Sequence, residues 1–424
     1  MTNVHKTPKK LLTPSFIRDV DRWVGIPVCF LLTAFRSLVR RLRGGRERVR
    51  GPLDRILFIK MTELGATVLA WPAIKRAIEM VGRQNVYFWV FEENRAILEL
   101  MDIIPQENII SVRTDRPMQF LTDVVRSIVR IRSLRIDATV DLEFFARASA
   151  IFAYLCGARR RAGLHPFTNE GPYRGDLMTH RVAYNAYVHT SVMSAMLVGA
   201  LLEDPADLPL LKRVPPQHDG AVPAFVPSSD DNVAVEKLLA ERGVTRSQPI
   251  VLLNPNASDM LPLRKWPTER FVDLAREILT HHAEVTVVFT GAPSEAPRAE
   301  ELCKAVASPR AVSMAGATSM RTLLALYHRA SVLVTNDSGP AHFAAMTDVH
   351  TVALFGPETP LLYAPMGRRV TVVWAGLACS PCVNVFNHRF SPCANNTCMQ
   401  AITVDRVYGE VCNALGRSVV TQRA

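Results

Sequence analysis

The chain has 424 residues, 48% of them hydrophobic and 21% charged, so it is too long for one ordinary domain and too apolar for a disordered chain. Its net charge of +11 is concentrated at one end: residues 1–50 hold twelve Lys/Arg against three acids, which leaves the remaining body close to neutral. A protein built to grip nucleic acid spreads its basic residues over the binding face, so the composition argues against that partner.

Within the basic extension, the thirteen-residue stretch from Trp23 to Phe35 ("WVGIPVCFLLTAF") carries no charge, and Arg-rich sequence follows it without a small-residue cleavage site. As a helix it would span ~20 Å, short of the ~30 Å hydrocarbon core of a bilayer. It reads as an interfacial helix drawn by its arginines to the anionic inner face of the cytoplasmic membrane. The alternative is a helix packed on the protein's own body.

Beyond Pro52 the sequence alternates short apolar runs with amphipathic stretches. "RILFIK" (55–60), "NVYFWVF" (85–91), 109–112 and "RIDATVDL" (135–142) read as strands, with helices at 65–81, 92–101 and 117–134 between them. Residues 159–190 read as a basic loop with five Arg and three His, suited to an anionic acceptor. Six prolines between 204 and 230 mark a domain boundary. A second alternation then places strands at 249–255, 284–291, 331–337 and 350–356. Helices fall at 231–242, 268–281, 294–307, 320–329 and 339–347. Repeated βα units imply parallel sheets covered on both faces, here two Rossmann-like halves facing a cleft. The expected divisions are an extension (1–50), a first domain (51–215), a linker (216–230), a second domain (231–400), and a C-terminal helix and tail (401–424).

Two turns carry candidate chemistry. After the first strand, "KMTELGA" (60–66) offers one carboxylate, Glu63, which is open to reading as a catalytic group, a helix cap or a solvated residue. After the strand at 331–337, "NDSGPAH" opens a helix at Ser338-Gly339-Pro340. There Gly339 allows close approach of a ligand, free N–H groups accept a diphosphate, and His342 is placed to donate to it. An ordinary N-cap with a surface His is the plainer alternative.

Eight cysteines are present. Cys29, Cys156, Cys303 and Cys412 are dispersed, which suits a reducing compartment. Cys379, Cys382, Cys393 and Cys398 have the spacing C-x2-C-x10-C-x4-C and are candidate ligands of a structural Zn²⁺, with disulfides or free thiols as alternatives.

"SVLVTNDSGPAHFAAMTDVHTVALFGPETP" (331–360) resembles the donor-binding signature of glycosyltransferase family 9, the ADP-heptose:lipopolysaccharide heptosyltransferases, usually "TNDTGPxHLAAAxGxPxVALFGPTxP". The likeness extends to "RILFIKMTELGATVLAWPAIKRA", to "VLLNPNASDMLPLRKWPTERFVDLAREI" against "NPGAxxxxKRWPxExFxxLA", to "VVFTGAPSE", and to the "CSPC" stretch through "CMQAITVDRV". It covers about 53–414 and omits the first 50 residues. It implies a GT-B fold and an inverting transfer, with no cofactor or metal required, from a nucleotide-diphosphate sugar to a lipid-linked saccharide acceptor. On the donor side it implies Ser258, Glu295, Asp337, Ser338, Gly339 and His342. Arg264 stands where the family has Lys; it or Lys265 would stabilise the departing diphosphate. On the acceptor side the candidates are Thr62, His180 and Arg181. The family's first turn, "SSLGD", ends in an Asp that serves as base, and that position here is Ala66. Glu63, three residues earlier, is the candidate replacement. A nucleotide-sugar-binding protein impaired in transfer, or an epimerase of the same fold, remains the alternative.

Overall fold

The computed structural model describes residues 14–42, 44, 49, 51–168, 171–215, 219–258, 261–387 and 390–416. The chain divides into two compact units. Unit one takes the described residues of Met1–Glu63 with Pro72–Asn185 and Ser191–Gln217; unit two takes Leu64–Trp71, Ala186–Thr190 and His218–Ala424. The chain therefore passes from one to the other between Glu63 and Leu64, inside the first βα turn.

Unit one begins with α1 (Pro14–Trp23) and α2 (Gly25–Leu42), followed by β1 (Ile56–Ile59). After α3 (Leu64–Leu69), which belongs to unit two, come α4 (Trp71–Val81), β2 (Val86–Phe91), α5 (Glu92–Met101) and β3 (Ile109–Val112). Then follow α6 (Pro117–Ser133), β4 (Ala138–Asp141), α7 (Arg147–Leu155), β5 (Arg160–Leu164), β6 (His180–Val182) and α8 (Thr190–Ala200). The parallel sheet has the order β3-β2-β1-β4-β5-β6. On one face a single core joins Leu57, Ile59, Trp89 and Val112 of the strands to Val124 and Ile131 of α6, Ala150 and Ala153 of α7, and Cys29 of α2. The N-terminal helices are thus part of unit one. Asp21 binds Arg147 by side chain (3.0 Å) and backbone (3.0 Å), and Thr33 accepts the N–H of Asp176 at 2.9 Å. The other side of α2 is exposed.

Unit two contains α9 (Ser229–Ala240), β7 (Ile250–Asn254), α10 (Thr268–His281), β8 (Thr286–Phe289), α11 (Ala296–Val306), β9 (Ala311–Ser313), α12 (Met320–Arg329) and β10 (Val332–Asn336). It continues with α13 (Gly339–Ala344), β11 (His350–Phe355), α14 (Pro360–Tyr363), β12 (Val370–Trp374), α15 (Thr397–Gln400) and α16 (Val404–Ala414). Its parallel sheet runs β12-β11-β10-β7-β8-β9, the same order as in unit one, with β7 and β10 in the places of β1 and β4. The apolar runs are buried throughout, as strands covered on both faces require. α16 packs into the core of unit two through Val407, Tyr408 and Val411, so residues 404–414 are an integral part of it.

The stretch 159–190 corrects the loop expected there: it forms β5 and β6. Arg161 donates to the carbonyls of Leu177 and Ala158, and Arg174 pairs with Asp141 inside the unit. His180 is fully buried, with Nδ1 2.9 Å from Thr179 Oγ1, and Arg181 lies 3.7 Å from Asp176. These side chains build the fold, and His180 is not displayed to an acceptor. Arg-rich strands escape a hydrophobicity pattern because guanidiniums satisfied by carbonyls are buried without apolar neighbours in sequence.

Candidate active site

In sheets of this order, ligands bind at the C-terminal ends of the strands where the order reverses. Those ends are β1/β4 in unit one and β7/β10 in unit two. Both candidate turns fall there.

In unit one, β1 is followed by Lys60, buried between two carboxylates: Nζ lies 3.2 Å from Glu63 Oε2 and 3.0 Å from Glu143 Oε2. Glu143, two residues beyond β4, accepts the N–H groups of Met61 (2.7 Å) and Thr62 (3.0 Å) and fixes the turn. Its own N–H is held by Asp141 at 3.0 Å. Thr62 Oγ1 faces the same carboxylate at 3.4 Å, so the hydroxyl belongs to this lock. Glu143 is thus committed to the backbone, whereas Glu63 is the more open carboxylate of the pair. Sequence reasoning missed Glu143 because it lies 83 residues from Lys60.

Glu63 has φ 66°, left-handed backbone that disfavours a non-glycine residue by about 1 kcal/mol. Helix N-caps adopt extended backbone, so the cap reading does not fit this residue. The turn holds a carboxylate in a conformation that glycine would adopt more readily.

In unit two, the loop before α10 carries Arg264. Trp266 anchors that loop: it is buried, its backbone N–H donates to Asn336 Oδ1 at 3.0 Å, and its indole N–H donates to the carbonyl of Ile402 at 2.9 Å. Arg264 Nη1 then stands 3.4 Å from Glu358 Oε2 and 3.7 Å from Asp337 Oδ2. Burial pushes the carboxyls of Asp337 and Glu358 up, and Arg264 opposes the rise in both. Asp337's neighbouring charge lifts Glu358 further, well above the usual range, so one guanidinium faces two acids. Arg264 Nε is buried and has no hydrogen-bond partner among the described residues. Lys265 presents its carbonyl to Asn396 Nδ2 at 2.9 Å.

Ser338 Oγ donates to the carbonyl of Asn336 at 3.2 Å and does not cap α13. Gly339 has no positive φ; a Cβ there would come within 3.0 Å of the Phe343 ring. His342 is buried rather than a surface residue. A Cβ on Gly65 of α3 would fall 2.6 Å from its Cδ2, so glycine there permits the close packing. Burial, then the charges of His189 and Arg264, lower its pKa to about 3, so it is a neutral imidazole. Ser258 is exposed at the end of β7. Glu295 accepts the N–H of Ala292 at 2.7 Å; a Cβ on Gly291 would touch its carboxylate and the Asn256 amide, so both line that turn.

The four clustered cysteines range from exposed (Cys379) to buried (Cys398). Among the described residues, no group of three or more His, Cys, Asp or Glu is arranged to hold a metal ion. The segment also has a structural part. The backbone N–H groups of Cys382 and Val383 donate to the carbonyl of Pro357, each at 3.0 Å, and Asn396 Nδ2 also reaches the carbonyl of Leu263 at 3.4 Å. It therefore ties the Glu358 turn to the Arg264 loop.

The sequence profile of "Glycosyltransferase family 9 (heptosyltransferase)" matches residues 132–389. The chain belongs to glycosyltransferase family 9. Among curated family relatives, it is 27% identical over 142 residues to lipooligosaccharide heptosyltransferase 2 of Haemophilus influenzae, covering 33% of this chain and 40% of that one. It is 26% identical over 139 residues to lipopolysaccharide heptosyltransferase 2 of Salmonella typhimurium, covering 32% and 39%. The matches thus span about 40% of these two relatives' lengths. Among solved structures, the ADP-heptose lipopolysaccharide heptosyltransferase II of E. coli superposes with TM-score 0.65 at 18% identity, covering 85% of this chain and 98% of that one. An E. coli heptosyltransferase bound to ADP gives 0.61 at 16%, covering 85% and 99%. At these identities the likeness establishes the fold, which is GT-B.

Proposed function

We propose that this family 9 protein transfers a heptose-like sugar, with inversion and without a metal, from a nucleotide-diphosphate donor to a lipid-linked, lipopolysaccharide-type acceptor. The observation that carries the reading is Arg264, held by Glu358 and Asp337 at the β7/β10 switch point with its Nε–H unspent. A half-buried cation with an unused donor is suited to a diphosphate whose charge grows as the sugar leaves. Lys265 follows it in the loop. Ser258, Ser338 and Gly339 lie at strand ends of the same unit, and Glu295 marks the ribose side. In unit one, Glu63 takes the proton of the attacking hydroxyl. The exposed side of α1 and α2 rests on the anionic cytoplasmic face of the inner membrane, where such an acceptor resides.

The second reading, a nucleotide-sugar binder without transfer activity, draws on Ala66 and on the ion pair of Glu63 with Lys60, which weakens a base. Selective thermal stabilisation by nucleotide diphosphates and their sugars tests donor binding. Transfer to a lipid-linked saccharide then separates the two readings.

A further inference from the structure

The layer of unit one that carries α2 also carries α6, and α6 has an apolar side facing outward. Its inner side is spent on the sheet through Val124 and Ile131, and Asp123 holds Arg113 at 2.8 Å. On the outer side, Met118, Leu121, Val125 and Val129 are each more than half exposed. At spacings of three, four and four, these positions fall in one stripe of a 3.6-residue helix. The pattern is unlike that of a solvated surface helix, whose outer face is polar.

α2 shows the same arrangement. One side seats Cys29 in the core, while Phe30, Leu31, Phe35 and Leu38 are more than half exposed. α7 lies in this layer too and sends Ile151 and Phe152 into the same core. Charge follows the apolar stripes: residues 113–135, spanning α6, hold six Arg and two Asp, and α2 ends in Arg40 and Arg41. Exposed apolar side chains with arginines beside them match an anionic bilayer surface, which offers acyl depth and headgroup charge together. A polar protein partner would leave the stripe unsatisfied.

We propose that α6 is a second membrane-contacting element, and that α2 and α6 on one face of unit one dock the protein flat on anionic lipid. The inference rests on the membrane reading of the N-terminal helices and deepens it. Two inserted stripes hold an orientation that a single terminal helix cannot, since one helix leaves the body free to swivel.

The test is flotation of the full chain with phosphatidylglycerol-containing vesicles, with phosphatidylcholine vesicles for comparison. A triple variant Leu121→Gln, Val125→Gln, Val129→Gln alters only exposed positions, and its circular dichroism and melting point report whether it folds. The expected result is a folded variant whose affinity for the anionic vesicles falls roughly tenfold or more. A parallel variant Phe30→Gln, Leu31→Gln, Phe35→Gln falls as well. Equal binding by the α6 variant and the wild type would overturn the role of α6 and leave the reading of α2 standing. No vesicle binding by the wild type would overturn both. A wild type that sediments as a dimer while the α6 variant is monomeric would also overturn the proposal, because the stripe would then be covered by a second copy of the chain.

Discussion

Arg264 Nη1 and Glu358 Oε2 stand 3.4 Å apart across 94 residues of sequence, with Asp337 Oδ2 3.7 Å from the same guanidinium nitrogen. The loop of Arg264 and the turn of Glu358 belong to different βα connections. The pair exists only because Trp266 on one side and the Pro357 hydrogen bonds on the other hold those connections in place.

Removing the cation exposes the asymmetry of the cluster. Arg264→Met leaves two buried acids facing each other and is expected to lower stability by about 3 kcal/mol, read by urea denaturation. Glu358→Gln keeps the shape of a carboxyl whose burial and neighbouring Asp337 already disfavour its charge, so its change is expected to be the smaller of the two, within about 1 kcal/mol. Equal losses in the two variants would contradict that asymmetry.

The dependence of stability on pH has two opposed contributions. His342 is held near pKa 3 in the folded state, against an ordinary value of 6.5. The unfolded chain therefore binds more protons between those values, and stability falls as pH drops through that window, by as much as a few kcal/mol. Glu358 acts the other way: its folded pKa is raised, so its contribution is lost as pH rises from about 4.5 through the raised value. Chemical denaturation at a series of pH values should show a shallower acid-side fall in His342→Gln than in the wild type.

The strained turn predicts a trade between stability and activity. Glu63→Gly relieves a left-handed residue and is expected to raise stability by roughly 0.5–1 kcal/mol while abolishing transfer. An unchanged or lowered melting temperature would mean that the Lys60 ion pair outweighs the strain.

Asn396 joins the cysteine-bearing segment to the Arg264 loop. Asn396→Ala is expected to cost about 1–2 kcal/mol and to weaken nucleotide-diphosphate binding without touching the ligand, as isothermal titration would show. Unaltered affinity would make the segment a passive cover.

Much of the architecture is legible in sequence. The apolar runs at 55–60, 85–91, 249–255 and 331–337 become central strands, because strands buried on both faces are apolar without interruption. β5 and β9 are harder to see: "RRAGL" and "AVS" are polar or short, and pairing with a neighbour, not their own pattern, makes them strands, whereas β12, "VTVVW", is a β-branched run at the sheet's edge. The site divides similarly. Glu63, Arg264 and Asp337 stand in recognisable turns, but Glu143 and Glu358 acquire their roles through contacts 83 and 94 residues away, which no local pattern encodes. His342 reads as a surface donor until the structure places Gly65 against it.

The central claim is that Glu63 supplies the base missing at Ala66. Turnover of Glu63→Gln, measured beside donor affinity, tests it most directly. The account predicts a kcat lowered by about 10² or more with nucleotide-sugar affinity unchanged. Full turnover by a variant that binds donor normally would contradict it.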